Sequence, residues 1–147
     1  MDEELKRAII IDNYQHPTHR GLVDDDKYIK ENTNNESCID NIDIMVKVEK
    51  GVITDIVFDG EACAISTSAT SIMLKKIIGK TREEARELMS EYYHMINEES
   101  YEEDKLGELN VYNDISRQPS RKKCAMMPFQ TLEKTFKIYE SGVNDEK

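Results

Sequence analysis

Between residues 40 and 49 the chain alternates without a break: Ile42, Ile44, Val46 and Val48 fall on one side of an extended backbone, Asn41, Asp43, Met45, Lys47 and Glu49 on the other. Successive strand side chains point to opposite faces, so this run predicts a half-buried β-strand whose register is fixed by its apolar set. Glu49, Lys50 and Gly51 supply a turn, and residues 52–58 form a second β-rich run. Residues 40–58 are therefore expected as an antiparallel hairpin. Residues 59–63 lead out of it as a third short strand or a connecting loop.

Helical signals surround the hairpin. Residues 3–13 place Leu5, Ala8, Ile9 and Asp12 at helical spacing, with acids in the first turn where the helix dipole favours them. Pro17 and Gly21 break that helix, and the polar stretch 22–37 reads as loop. Residues 64–78 carry small side chains early and large apolar ones late, and their length and the stop at Gly79 favour a helix over a strand. Thr81 with Glu84 three residues on is a capping box, and Ala85, Leu88, Tyr92 and Ile96 follow on one face. Residues 97–120 are acidic and irregular, expected as solvated loop with an ordered piece around 106–115. A last helix is expected over 124–139, its face formed by Ala125, Phe129, Leu132, Phe136 and Tyr139, with Pro128 tolerable only near the first turn. With no internal repeat, the expectation is a single α+β domain over 1–147, a small antiparallel sheet packed against helices.

Charge narrows the function classes. The 147 residues hold 20 Lys+Arg against 30 Asp+Glu, a net charge of −10. Nucleic-acid affinity comes mainly from Lys and Arg neutralising phosphates, so no nucleic-acid partner is expected. No apolar run is long enough to span a membrane, and the opening Met-Asp-Glu-Glu is no secretory signal, so no membrane partner and a cytoplasmic location are expected. Such a surface suits a protein partner or a cation.

The three cysteines, Cys38, Cys63 and Cys124, cannot pair off completely and form no C-x-x-C motif. Each falls at the edge of an expected element. At helix N-termini, Cys63 and Cys124 would meet unpaired N–H groups that favour thiolate. Asp40 lies two residues after Cys38, close enough for both to reach one point, and three thiolates with one carboxylate would close a tetrahedral zinc site. The spacing by itself matches no general zinc rule. His16 and His19 are three apart, but Pro17 breaks any helix that would align them, and they read as ordinary surface residues.

Three segments, in order, carry a further signal: 36–40 (Glu-Ser-Cys-Ile-Asp), 60–73 (Gly-Glu-Ala-Cys-Ala-Ile-Ser-Thr-Ser-Ala-Thr-Ser-Ile-Met) and 121–125 (Arg-Lys-Lys-Cys-Ala). Together with the opening 11–21 (Ile-Asp-Asn-Tyr-Gln-His-Pro-Thr-His-Arg-Gly), they resemble the SufU branch of the IscU/NifU N-terminal family of iron–sulfur cluster assembly proteins. The resemblance spans about residues 5–140. It implies that Cys38, Asp40, Cys63 and Cys124 hold a zinc ion. It also implies that Cys38 accepts sulfur from the persulfide of a SufS-type, pyridoxal-phosphate cysteine desulfurase, docked through Arg121. Apart from the resemblance, Lys75 and Lys76 read as a solvated helix end, the alternative being a basic patch with Arg121, Lys122 and Lys123 that contacts the partner. The activity implied is a zinc-dependent sulfurtransferase in iron–sulfur cluster assembly, passing sulfur to a downstream iron–sulfur scaffold. The alternative is a scaffold on which iron or a [2Fe–2S] cluster sits on the same thiolates; a purely structural zinc domain is third. Lys123 stands where IscU-type scaffolds carry histidine and cannot ligate while protonated. The acidic segment 97–120 resembles the insertion that marks the SufU branch. Ile39 stands where the family has glycine.

Overall fold

The computed structural model describes residues 1–33 and 40–143, so Cys38 and Ile39 lie outside the described residues. The alternating run forms β2 (Asn41–Glu49), which pairs antiparallel with β3 (Val52–Glu61) through a tight turn at Lys50 and Gly51. Both turn residues take positive φ, 53° and 83°; this left-handed pair matches the twist of the strands it joins. Ile42, Ile44 and Val46 are buried on the inner face with Ile53, Ile56 and Phe58 of β3.

A third strand, β1 (Ile29–Asn32), pairs antiparallel with β2 and makes it the centre of a β1-β2-β3 sheet. This corrects the reading of 22–37 as loop throughout. The strand's four residues, Ile-Lys-Glu-Asn, show no apolar alternation because it lies at the sheet edge and is held by backbone pairing to β2, from Ile29↔Val46 to Asn32↔Asp43.

Helices cover the inner face. Helix α2 (Ala64–Ile77) lies at the centre of the molecule, buried from Ile65 through Leu74, its small Ser, Thr and Ala side chains letting neighbours approach closely. Helix α1 (Glu3–Gln15) packs on α2. The face it buries differs from the expected one: Leu5 is 50% exposed and Lys6 only 8%. The reason is polar docking. Lys6 Nζ donates to Asp114 Oδ2 at 2.9 Å, and Asn13 Oδ1 accepts from Ser71 Oγ of α2 at 2.8 Å.

Thr81 caps α3 (Arg82–Ile96) with a complete capping box, and Ala85, Leu88, Tyr92 and Ile96 are buried as the periodicity predicts. Tyr92 stacks on Phe129 of the last helix at a centroid distance of 4.2 Å. The acidic segment is more ordered than its composition predicts. It forms α4 (Glu103–Leu106) and 3-10 turns at Gly107–Tyr112 and Ile115–Arg117, and buries Leu106, Leu109, Val111, Tyr112 and Ile115 while the acids at 98, 99 and 102–104 face solvent.

Helix α5 (Pro119–Val143) starts five residues earlier than the apolar periodicity indicates. Its first turns carry Arg121, Lys122 and Lys123, which leave no apolar trace in the sequence. Pro128 consequently sits well inside the helix instead of near its start. Among the described residues no helix is long and apolar enough to cross a membrane.

Candidate metal centre

The sheet brings two of the candidate ligands together. The β2–β3 ladder ends at Asn41↔Glu61, so Asp40 just before β2 and Cys63 just after β3 emerge at the same corner. Gly60 permits this closure. Its φ is +138°, and a Cβ there would lie 2.0 Å from the carbonyl oxygen of Asn41, so any other residue would force the strand ends apart.

Cys63 is the N-cap of α2, with extended backbone (φ −66°, ψ 168°) and its Sγ accepting from the backbone N–H of Ser66 at 3.4 Å. Thiols are uncommon caps beside Ser, Thr, Asp and Asn. Here the cap is reinforced from a distance: Asp40 Oδ1 accepts from the Cys63 N–H at 2.7 Å, and Asp40 Oδ2 accepts from Ser66 Oγ at 2.7 Å. Both carboxylate oxygens are thus oriented, and Asp40 is 2% exposed. The Cys63 thiol lies 3.6 Å from Asp40 Oδ2.

Cys124 comes from the second turn of α5, which packs along α2. One ligand atom from each of Asp40, Cys63 and Cys124 lies within 4.8 Å of the others. Asp40 is buried and the two cysteines are half-buried. Donor atoms of a tetrahedral zinc centre stand roughly 3.5–3.8 Å apart, given Zn–S near 2.3 Å and Zn–O near 2.0 Å. A slight contraction therefore brings this cluster to coordination distance.

The electrostatics fit a cation. Burial, followed by hydrogen bonding with Asp40 and Cys63, pushes the Cys124 thiol above its ordinary value of 9.0. Without a cation the Cys124 thiol therefore favours its neutral form. A bound divalent cation reverses that preference, since metal binding displaces the thiol protons. This corrects the expectation for Cys124, which lies beyond the helix start where the dipole would lower its pKa. Cys63 does occupy a helix N-cap, as the sequence indicates.

Of the other predicted site residues, Arg121 and Lys123 are exposed on the first turns of α5, and Cys38 lies outside the described residues. Lys75 and Lys76 do not join that basic stretch. They sit at the far end of α2, about 18 Å from Cys63 at 1.5 Å per residue, and Lys75 pairs with Glu108 at 2.9 Å. Sequence reasoning missed Ser66. Its position three residues after Cys63 is the capping-box position, a signal obscured because a cysteine stands at the cap.

The chain is similar to known proteins in both sequence and fold. Residues 5–145 match the family described as NifU-like N terminal domain. The chain is 38% identical over 128 residues to the iron–sulfur cluster assembly scaffold protein IscU of Thermotoga maritima, covering 87% of this chain and 89% of that one. It is 31% identical over 141 residues to the zinc-dependent sulfurtransferase SufU of Bacillus subtilis, covering 95% of each. Among solved structures, a SUF-system iron–sulfur cluster assembly scaffold protein from Fervidobacterium islandicum superposes with a TM-score of 0.79 at 32% identity, over 85% of this chain and 91% of that one. The N-terminal NifU-like protein of Brucella abortus, at 18% identity, shares the fold with a TM-score of 0.79 over 95% of this chain and 99% of that one.

Proposed function

Because the chain belongs to the NifU-like N-terminal domain family of iron–sulfur cluster assembly proteins, we propose that it is a zinc-dependent sulfur acceptor. In this reading it takes persulfide sulfur from a cysteine desulfurase in the cytoplasm and passes it to a downstream iron–sulfur scaffold. The observation that carries it is the convergence of Asp40, Cys63 and Cys124 within 4.8 Å. These three, with Cys38 as the fourth ligand, would hold the zinc. SufU of Bacillus subtilis, 31% identical over 95% of this chain, is named zinc-dependent.

When bound, the zinc keeps its thiolate ligands deprotonated at neutral pH. Cys38 is the sulfur acceptor. Its thiolate attacks the outer sulfur of the desulfurase persulfide; a new S–S bond forms on Cys38, the donor S–S bond breaks, and the desulfurase cysteine leaves as thiolate with no net change in oxidation state. Asp40 is held by Cys63 N–H and Ser66 Oγ, so the corner stays in place as Cys38 reacts. Arg121 and Lys123, exposed beside Cys124, offer positive charge for docking the desulfurase.

Desulfurase turnover measured with a protein of known metal content tests this reading. Stimulation by the zinc-loaded protein, its loss in Cys38→Ala, and an adduct of about 32 Da on Cys38, one sulfur atom, are expected. No adduct on Cys38 would sink the assignment. The scaffold reading draws on the relative from Thermotoga maritima, which is named a scaffold. It requires a brown protein with visible absorption, whereas the sulfur acceptor is colourless.

A further inference from the structure

One buried hydroxyl connects all three described ligands. Ser66 is fully buried, and its Oγ lies 2.7 Å from Asp40 Oδ2, 3.2 Å from the backbone carbonyl of Cys124 and 3.6 Å from Cys63 Sγ. Its backbone N–H reaches Cys63 Sγ at 3.4 Å.

The contact to Cys124 has a cause in the sequence. A helical carbonyl normally accepts from the N–H four residues on, which for Cys124 is residue 128. Residue 128 is proline, which has no N–H and whose ring crowds that same carbonyl. The Cys124 carbonyl thereby lacks its usual helical donor, and Ser66 Oγ of α2 stands 3.2 Å from it; the single hydroxyl proton is donated chiefly to Asp40 Oδ2 at 2.7 Å, leaving the carbonyl the weaker arm of a shared hydrogen bond. The next carbonyl, that of Ala125, accepts from the hydroxyl of Tyr92 at 2.9 Å. Pro128 thus leaves the Cys124 carbonyl without its helical N–H, at the turn of α5 that faces Ser66 of α2.

We propose that Ser66 is a positioning residue of the metal centre, its hydroxyl donating to the Asp40 carboxylate of the sheet corner while its oxygen packs against the Cys124 carbonyl that Pro128 leaves without a helical donor. The inference rests on the metal-centre reading above. Ser66 is not a ligand. It fixes the rotamer of Asp40 and the distance between α2 and α5, so that ligands from three separate elements meet at one point. Partners that orient metal ligands typically change metal affinity about 10–100-fold when removed.

The test is Zn²⁺ affinity of the full chain, by competition with a chromophoric chelator, for wild type, Ser66→Ala, Ser66→Thr and Ser71→Ala. Ser71 is an internal control: it lies on the same helix, is equally buried, and its hydroxyl donates to Asn13 instead of to the ligand corner. Ser66→Ala should weaken Zn²⁺ binding by about 10-fold or more, while Ser66→Thr and Ser71→Ala stay within about threefold of wild type. In an Asp40→Ala background, Ser66→Ala should add much less than it does alone, because the hydroxyl acts largely through the carboxylate. Thermal melts of the metal-free variants report any general loss of packing, which should be similar for Ser66→Ala and Ser71→Ala. Wild-type affinity in Ser66→Ala, equal losses in Ser66→Ala and Ser71→Ala, or full additivity with Asp40→Ala would each overturn the proposal. A wild-type chain that binds no Zn²⁺ would overturn the metal-centre reading itself, an outcome distinct from these.

Discussion

Two helix N-termini in this protein solve the same problem in opposite ways. At α3 the hydroxyl of Thr81 accepts from the N–H of Glu84 and the carboxylate of Glu84 accepts from the N–H of Thr81, at 3.1 and 3.0 Å. Every group is supplied within four residues, and the corner is exposed. At α2 the cap is a thiol, and its support comes from Asp40, 23 residues earlier, while Cys124 arrives from a helix 61 residues later. The first corner starts a helix and pairs with the edge of β3 through Thr81 and Val52. The second starts a helix with a group that can also bind metal, and needs the whole fold to do it.

The largest separation between the two corners should appear in metal affinity. Cys63→Ala or Cys124→Ala removes a ligand, and Zn²⁺ binding is expected to fall by more than about 100-fold, beyond what loss of an orienting partner causes. Thr81→Ala should leave Zn²⁺ binding unchanged. A titration in which all three behave alike would erase the contrast.

Strand closure supplies the next effect. Gly60→Ala places a methyl on the Asn41 carbonyl in a backbone conformation that only glycine adopts readily, at an expected cost of about 3 kcal/mol from overlap and strain together. Gly79→Ala meets nothing within 4 Å and carries only the positive-φ penalty, about 1 kcal/mol. Denaturant unfolding of the metal-free chains should rank them in that order, with lost metal affinity in Gly60→Ala alone.

Thr81→Ala itself should lower stability by about 1 kcal/mol, the ordinary worth of an N-cap. A loss below the error of the unfolding curve would show that packing of Tyr92 and Ile96, not the cap, holds α3.

The smallest effect is in pH, and its sign differs between the corners. The Glu84 carboxyl is held below its ordinary value by the backbone N–H and then the side chain of Thr81. Its contribution to stability is present above the usual carboxylate value of 4.5 and fades as pH falls through the lowered one. The Cys124 thiol is raised, so in metal-free protein its contribution is present below pH 9.0 and fades as pH rises past that value. Melting of the metal-free protein across acid and alkaline ranges, with Glu84→Gln and Cys124→Ala as references, should separate the two limbs.

This contrast also explains what the sequence discloses. Local signals were legible: the alternation of Ile42, Ile44 and Val46 located the central strand, and Thr81 with Glu84 located α3. The α+β class followed from them. Three features were not legible, each because its partner is distant. β1 is held by backbone pairing to β2, not by an apolar pattern of its own. Helix α1 turns Lys6 and Asn13 inward because Asp114 and Ser71 await them. The start of α5 is written in Arg121 to Lys123, where no apolar residue marks the helix. Within the candidate site, the family resemblance, more than residue spacing, pointed to Asp40, Cys63 and Cys124, which the fold brings together, while Ser66 stayed hidden among the small residues of α2 and Pro128, expected only near a helix start, stands inside α5.

The central claim is that Asp40, Cys63 and Cys124 belong to one thiolate-rich metal centre, and Co²⁺ substitution tests it most directly. Tetrahedral Co²⁺ bound by thiolates absorbs strongly in the visible and shows sulfur-to-metal charge transfer, while octahedral Co²⁺ on oxygen ligands is nearly colourless. The account predicts intense tetrahedral bands at one Co²⁺ per chain, displaced by Zn²⁺ and lost or reshaped in both Cys63→Ala and Cys124→Ala. A weak octahedral spectrum, or a tetrahedral one unchanged by both substitutions, would contradict it.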